Sequence, residues 1–253
     1  MEFALDFIKN IKVSDCYLMA SLIGAAIAMG LGAIGAAIGI GIAAGRASES
    51  ITRQPSSAGE VTKTMLVGQA VNETPAIFSL VIAMVLMLMK PVTSGYFLGF
   101  LGLIGAGLSI GFGALGSGIG GGLANMEACV GTGRNHENSE NLLKTMIVGQ
   151  AMGQSSVVFA MIISFYIIFN VDYDKLTLPG SFALLASGIC MGSGAIGPGF
   201  GLGLAARAGV AGGILNPENS NIVTRTMLVG QAVTESAAIF SFIIALLLIV
   251  QNT

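Results

Sequence analysis

A stretch of ten residues that occurs three times at a fixed spacing constrains this chain more than any other feature. The first copy is Thr64–Glu73, and it returns as Thr145–Gln154 and as Thr226–Glu235, each step being 81 residues. Self-similarity at a fixed period means that a chain is built from equivalent structural units. The sequence therefore predicts three units of one kind, each with one copy of the stretch.

Composition places these units in a membrane. Apolar residues make up 54% of the chain and charged residues only 9%, whereas a soluble domain is about 25% charged. Six segments are nearly free of charge, and each exceeds the roughly 20 residues that span a bilayer. Lipid leaves no partner for a free backbone amide, so these segments must be helices. They are Cys16–Gly45, Thr64–Met89, Pro91–Asn125, Thr145–Val171, Leu176–Ala206 and Thr226–Val250.

The six segments alternate in composition. The first, third and fifth are rich in glycine, with pairs four residues apart such as Gly35 and Gly39 or Gly118 and Gly122. Small residues at that spacing let helix backbones approach closely in lipid. The other segments carry the repeated stretch, so the unit is a two-helix hairpin. The predicted fold is an all-α membrane protein with six transmembrane helices in three tandem hairpins, which assemble into a ring.

The hairpins are predicted to occupy residues 1–90, 91–172 and 173–253. The loops within the hairpins carry more basic residues than the connections and the N-terminus, which predicts that these loops are cytoplasmic and that both termini lie outside. The basic residues of the loops are Arg46, Arg53, Lys63, Arg134, Lys144, Arg207 and Arg225, and the others are Lys9, Lys12, Lys90 and Lys175.

Two copies of the stretch place a lone carboxylate inside an apolar segment. Glu73 and Glu235 share one repeat position near the middle of the bilayer, where the middle copy has Gln154. An unpaired charge is costly there, so the carboxyl group either stays protonated or holds a cation. Each glutamate is therefore predicted to load and unload one monovalent ion. A glutamine amide can neither release a proton nor supply a negative charge, so Gln154 is predicted to be silent.

Other kinds of chemistry are excluded by what the segments lack. No second acid accompanies either glutamate, which excludes the paired carboxylates of glycosidases. His136 is the only histidine and lies in a polar loop, so neither a Ser-His-Asp triad nor a metal site is expected. No basic run marks a nucleic-acid partner. We expect that the chain is not an enzyme by itself and needs no cofactor.

Together these features resemble the c subunit, or proteolipid, of F-type rotary ATP synthases, in a tandem three-hairpin form. The glycine helix, the polar loop and the mid-helix carboxylate follow one another in the order found in that family. The run Arg53-Gln54-Pro55 matches the loop signature of F-type c subunits, whereas the loops Gly131–Asn141 and Gly212–Ser220 lack it. The sequence Gly-Gln-Ala-Val before the first carboxylate also resembles bacterial members of the family.

The resemblance implies a rotor ring made with other copies of the chain, with glycine helices inside and carboxylate helices outside. Such a ring turns against the stator, whose a subunit exchanges ions with each glutamate, and its hairpin loops dock the central stalk. Arg53, Gln54 and Pro55 would inherit the stalk contact. The resemblance also implies a multi-pass protein of the bacterial inner membrane, in contact with lipid.

The transported ion is predicted to be H⁺. Sodium-type members of the family surround the carboxylate with a Gln on the glycine helix, a Ser-Thr pair and a Tyr. In this chain the equivalent positions keep only the hydroxyl groups of Thr74 and Ser236. Gln69 and Gln231 lie one turn before the glutamates and are alternative supporting ligands, so Na⁺ remains open.

A second function fits the same segments. A multi-pass ion channel or a secondary transporter built from parallel repeats would line its pathway with Glu73 and Glu235. Transporter sites are typically formed by broken helices, which the sequence does not indicate. Pro75 and Pro198 are capable of kinking helices, but neither has a proline at its repeat positions.

Overall fold

The computed structural model describes residues 12–89 and 96–252. They form eight α-helices, with short 3₁₀ turns at three of the connections and ahead of the fourth helix. The helices are α1 (Val13–Arg53), α2 (Ala58–Asn72), α3 (Thr74–Leu88), α4 (Leu101–Arg134), α5 (Ser139–Gly153), α6 (Ser155–Phe169), α7 (Leu178–Leu215) and α8 (Ser220–Asn252). Lys9 and Lys90, which entered the prediction of orientation, lie outside the described residues.

Six helical passes in this part of the chain are long and apolar enough to cross a membrane. The inner helices α1, α4 and α7 each make one pass, and the outer passes are formed by α2 with α3, by α5 with α6, and by α8. The prediction of an all-α protein with three tandem hairpins is confirmed. The passes are longer than the apolar segments, because the helices continue into the polar loops; α1, for example, ends at Arg53.

The inner helices pack backbone against backbone. A Cβ atom on Gly122 of α4 would collide with Gly39 of α1, and one on Gly203 of α7 would collide with Gly120 of α4. Gly122 and Gly203 are repeat equivalents, so the second contact reproduces the first. Since lipid offers no hydrophobic drive between helices, this close approach is a main source of their attraction. The three inner helices consequently form one continuous wall, with α4 at its centre.

Each of the first two outer passes covers the groove between two inner helices. The pass of α2 and α3 contacts both α1 and α4, and the pass of α5 and α6 contacts both α4 and α7. Helix α8 lies against α7 and also touches α5 and α6. The three hairpins therefore stand side by side in chain order, and each of the first two outer passes leans toward the hairpin that follows it.

Two of the three outer passes are interrupted for a single residue. The interruption falls at Glu73, between α2 and α3, and at Gln154, between α5 and α6, whereas α8 runs through Glu235 without a break. Pro75, which has no amide hydrogen to continue the helical bonding, follows the first interruption. These interruptions were not expected from the sequence. Pro198 lies inside the continuous helix α7.

The hairpin loops share one backbone geometry. In each, a residue with extended φ near −140° ends the inner helix and a 3₁₀ turn of three residues leads into the outer one. The residues at that position are Gln54, Asn135 and Asn216. The loops of the second and third hairpins thus have the same shape as the first without the Arg-Gln-Pro run, and Pro217 repeats Pro55.

Extra hydrogen bonds join the two passes of the middle hairpin. The hydroxyl of Ser109 donates to the carbonyl of Ala160 at 3.0 Å, and that of Ser164 donates to Ala106 at 2.8 Å. In the third hairpin the thiol of Cys190, at the repeat equivalent of Ser109, donates to the carbonyl of Ser241 at 3.7 Å, whereas Ala28, Ala83 and Ala245 have no side-chain donor. A hydroxyl bond within a membrane bundle contributes about 0.6 kcal/mol, so the two serines give the middle hairpin stronger side-chain bonds at these positions than its neighbours have.

Replacement of Gly122 by alanine is predicted to destabilise the single chain by about 1–3 kcal/mol, because the added methyl group meets the backbone of α1 in a tightly packed contact. Gly59→Ala is the matched control, since a Cβ there meets no atom within 4 Å in the described part of the chain. Unfolding of the detergent-solubilised chain by SDS, followed by circular dichroism, measures both. Equal stability of the two variants would contradict the close packing.

Candidate ion-binding site

Glu73 lies on the open side of the first hairpin. Its side chain is exposed at the junction of α2 and α3. Together with α1 and α3 it borders a groove of about 270 Å³ whose other lining is apolar. The lining residues are Met29, Ala33, Ala36, Ala37, Ile40, Ala76, Ile77 and Leu80. The carboxyl group therefore faces a space that its own hairpin borders but does not fill.

Glu235 has the neighbour that Glu73 lacks. It lies within α8 and is half-buried. Helices α5 and α6 of the middle hairpin pack against α8, whereas no hairpin stands ahead of the first one in the described residues. Two carboxyl groups that share a repeat position thus occupy different surroundings in the single chain.

Gln154 occupies the same repeat position at the interface between the first and second hairpins. Its amide nitrogen and oxygen are both buried, without a hydrogen-bond partner among residues 12–89 and 96–252. Asn72 is completely buried in the same interface, where its side chain lies against Gly39 and Gly121. The middle position is therefore polar and neutral.

The glutamine of the repeated stretch connects neighbouring hairpins. The side-chain amide of Gln150 donates to the carbonyl oxygens of Gly68 at 3.1 Å and Gly121 at 2.9 Å. Gln231 repeats this arrangement with Gly149 at 2.9 Å and Leu202 at 3.0 Å. In each case one bond goes to the inner helix of the same hairpin and the other to the preceding outer pass.

The first glutamine has only half of this arrangement. Gln69 donates to Ile40 of its own inner helix at 3.4 Å, and the described chain has no earlier outer pass for the second bond. The amide nitrogens of Gln150 and Gln231 are occupied by carbonyl groups, and their oxygens are buried without a partner in the described residues. Only the oxygen of such a glutamine remains available as an ion ligand. The sequence did not indicate that Gln150 bonds the preceding outer pass or that Asn72 is buried between the first two hairpins, although both lie in the repeated stretch.

The hydroxyl groups expected to support the ion lie directly after the acidic position. Ser236 donates to the carbonyl of Val233 at 2.7 Å, and Ser155 of the middle hairpin donates to Met152 at 2.9 Å. Thr74 is half-buried beside Glu73. The serine hydroxyls are thus anchored to their own helix, and their lone pairs are directed away from that bond.

The loop residues expected to meet the stalk lie at the opposite end from the hairpin connections. Arg53 ends α1 and pairs with Glu49, which also bonds Arg46 at 2.7 Å. Gln54 and Pro55 follow in the loop, and Pro55 is exposed. A cavity of about 220 Å³ opens beside them between α1 and α4. It is lined by Arg46, Glu49, Ser50, Arg53, Gln54, Val130, Gly133 and Arg134.

Comparison with known proteins identifies the repeated unit. The family model for the ATP synthase C subunit matches the chain three times in tandem, over residues 23–86, 104–167 and 185–248. The chain belongs to this family. Each match contains one glycine-rich helix, one polar loop and one position of the glutamate series.

Individual relatives are about one third as long as the chain. The ATP synthase c subunit of Alkaliphilus oremlandii is 46% identical over 83 residues, which are 33% of this chain and 93% of the relative. The chloroplastic ATP synthase c subunit of Ostreococcus tauri is 48% identical over 75 residues, covering 30% of this chain and 92% of the relative. The ATP synthase c subunit of Natranaerobius thermophilus is 51% identical over 74 residues, which are 29% and 85% of the two chains.

Family membership confirms two expectations from the sequence. The chain is an ATP synthase c-type membrane subunit, which translocates ions within a larger complex and is not a catalytic subunit. The family also favours this interpretation over a free-standing channel or secondary transporter. The interruptions at Glu73 and Gln154 are one residue long, unlike the unwound segments of transporter sites.

Proposed function

We propose that this chain forms the rotor ring of an F-type-like ATP synthase, in which Glu73 and Glu235 reversibly bind H⁺ and couple ion translocation to rotation and to ATP synthesis or hydrolysis. The observation that carries the proposal is the pair of open faces at the two ends of the chain. The interface between hairpins occurs twice within the chain. Within the described residues, one of its two surfaces is also present, uncovered, on the first hairpin, and the complementary surface is uncovered on the third.

Glycines on α1 mark the first open face. A Cβ on Gly30 or on Gly41 meets nothing within 4 Å in the described structure. Their repeat equivalents, Gly111 and Gly122 on α4, are in close contact with α1. The same surface that joins the second hairpin to the first is therefore uncovered on the first hairpin within residues 12–89 and 96–252.

The complementary open face lies on α7. A Cβ on Gly197 has no neighbour within 4 Å across residues 12–89 and 96–252, whereas its equivalents Gly35 and Gly116 contact the next inner helix. The third hairpin thus offers the surface that the first two use within the chain. A second copy fits both faces, and continued head-to-tail association closes into a ring. If no other kind of subunit enters the ring, its number of hairpins is a multiple of three.

The carboxyl groups supply the ion-binding chemistry. Glu73 and Glu235 lie on outer passes inside apolar spans, where a charge without a partner is unfavourable. Binding of H⁺ neutralises the carboxylate and lets the group face lipid, and its release requires a polar path. Such a path belongs to the a subunit of the stator, against which the outer passes turn.

The hairpin loops indicate where the central stalk would bind. The cavity between α1 and α4 has three arginines and one glutamate among its lining residues, which suits an acidic surface of the central stalk beside Arg53, Gln54 and Pro55. With the stalk on the cytoplasmic side, the hairpin loops lie in the cytoplasm and both termini lie outside. The complex belongs to a bacterial inner membrane, with the outer passes against lipid.

Gly41→Ala is predicted to prevent ring closure while the single chain still folds, because Gly41 has room within the described chain and its equivalent Gly122 has none. Native mass spectrometry of the purified ring measures the number of chains. Gly59→Ala, whose Cβ also meets open space in the described residues, serves as control and leaves the ring intact. A normal ring from the Gly41 variant contradicts the proposed interface.

Carbodiimide labelling distinguishes H⁺ from Na⁺. Both Glu73 and Glu235 are expected to react in the wild-type ring at fixed pH, because the reagent modifies protonated carboxyl groups in apolar surroundings. Apart from the carboxyl group, the lining of the groove beside Glu73 is apolar, whereas Na⁺ requires several oxygen ligands to replace its hydration shell. We therefore expect the same rate with millimolar Na⁺ and with K⁺. Strong protection by Na⁺ alone would assign the sites to sodium.

Gln154→Glu is predicted to raise the number of ions moved per ATP, since each chain then carries three titratable groups in place of two. Ion flux and ATP turnover are measured together in vesicles containing the whole complex. Gln154→Ala is the control and leaves the ratio unchanged in a coupled complex. An unchanged ratio in a coupled Gln154→Glu complex contradicts the silent role of the middle hairpin.

A further inference from the structure

The register between neighbouring outer passes is constant. Gln150 reaches the carbonyl of Gly68, and Gln231 reaches that of Gly149, so each glutamine bonds a residue 82 positions earlier in the chain. One helical turn beyond these glutamines, the same offset of 82 residues pairs Gln154 with Asn72 and Glu235 with Gly153. The equivalent residue of the third hairpin is Thr234. If a neighbouring copy precedes the first hairpin with the same register, its Thr234 therefore faces Glu73.

Asn72 shows what a side chain at this position reaches. It lies between Gly39 of its own hairpin and Gly121 of the next one. Gly121 is the repeat equivalent of Ile40, which lines the groove beside Glu73. Asn72 therefore extends into the equivalent groove of the second hairpin, where neither its amide nor that of Gln154 has a hydrogen-bond partner among the described residues.

Thr234 contacts its own inner helix at the position equivalent to the one that Asn72 contacts. Its methyl group lies 2.9 Å from where a Cβ on Gly201 would stand, and Gly201 is the repeat equivalent of Gly39. Its hydroxyl donates to the carbonyl of Gly230 at 2.9 Å within α8. The groove that it would enter belongs to the first hairpin of the next copy and is open in the single chain.

The facing residues differ in size among the three interfaces. At the first interface Asn72 of the outer pass faces Gly121 of the next inner helix. At the second interface the equivalent pair is Gly153, which has no side chain, and the buried Leu202. In both interfaces within the chain a residue without a side chain stands opposite one with a side chain. The interface between copies pairs Thr234 with Ile40, so it alone combines two β-branched side chains.

We propose that the two ion sites of the ring are chemically different: the hydroxyl of Thr234 from the neighbouring copy bonds the carboxyl group of Glu73, whereas Glu235 faces Gly153 and receives no such group. The inference rests on the proposed ring. In that ring Gln69 gains its missing second bond at the carbonyl of Gly230 in the neighbouring copy. This bond competes with the present bond of Thr234 to Gly230 and frees the hydroxyl for Glu73.

Each chain then contributes three unlike positions in rotary order. The site at Glu73 lies between copies and includes a hydroxyl, the position at Gln154 is neutral, and the site at Glu235 lies within one chain. Glu73 and Glu235 consequently differ in how readily they exchange an ion, although the sequence places them at one repeat position. Thr234 is the residue that makes this difference.

Site-resolved carbodiimide labelling of the purified wild-type ring tests the inference, with peptide mass spectrometry to follow Glu73 and Glu235 separately. We expect slower labelling at Glu73, because the reagent must displace the hydroxyl hydrogen bond. Thr234→Val keeps the side-chain shape and removes the hydroxyl. It should accelerate labelling of Glu73 about threefold, the equivalent of one hydrogen bond in a membrane bundle, and leave Glu235 unchanged.

Gly153→Ser is the converse variant, because a Cβ on Gly153 has no atom within 4 Å in the described chain. It gives Glu235 a facing hydroxyl and should slow labelling of Glu235 alone by a similar factor. It also decides the question if the Thr234 variant fails to assemble, since unchanged labelling of Glu235 then overturns the inference. Equal rates at both glutamates in the wild type, or equal changes at both in either variant, overturn it as well. Absence of labelling at both glutamates in the wild type contradicts the proposed function itself.

Discussion

Close contact between the backbones of α1, α4 and α7 is the interaction on which the rest of the structure depends. Lipid competes with apolar side chains for the same contacts, so helices gain by packing where their backbones can meet. Gly122 against Gly39 and Gly203 against Gly120 provide two equivalent meetings. Because the geometry of one is repeated in the other, each hairpin is displaced from the last by the same step. A constant step is what allows a chain of hairpins to continue from copy to copy.

The position of each outer pass along the helix axis is fixed by hydrogen bonds to the inner helices and to the preceding outer pass. Gln150 and Gln231 each bond one carbonyl of their own inner helix and one of the preceding outer pass. A hydrogen bond to a backbone carbonyl fixes position along a helix more closely than apolar contact does. Because the acidic position lies one turn beyond this glutamine, its depth and its facing residue are set by the same bonds. The glutamine therefore helps to set the position of the proposed ion site.

The middle hairpin combines a neutral residue at the acidic position with hydroxyl bonds between its two passes. It has Gln154 in place of a glutamate, and serine hydroxyls join its two passes at Ser109 and Ser164. Both serines bond the carbonyl groups of the opposite pass, so these bonds fix the two helices of the hairpin against each other.

The sequence by itself determined the three hairpins, the alternation of glycine-rich and apolar passes, and the two carboxylates at one repeat position. These follow from the 81-residue period and from the requirement that backbone amides in lipid be bonded within helices. Tertiary structure alone decided that the first two outer passes lean over the following inner helix, that Gln150 and Gln231 bond across hairpins, and that Asn72 is buried between Gly39 and Gly121. Periodicity assigns residues to the faces of one helix, but it does not state which neighbour covers a face. That choice depends on how closely glycine backbones approach, and it makes Glu73 and Glu235 unlike.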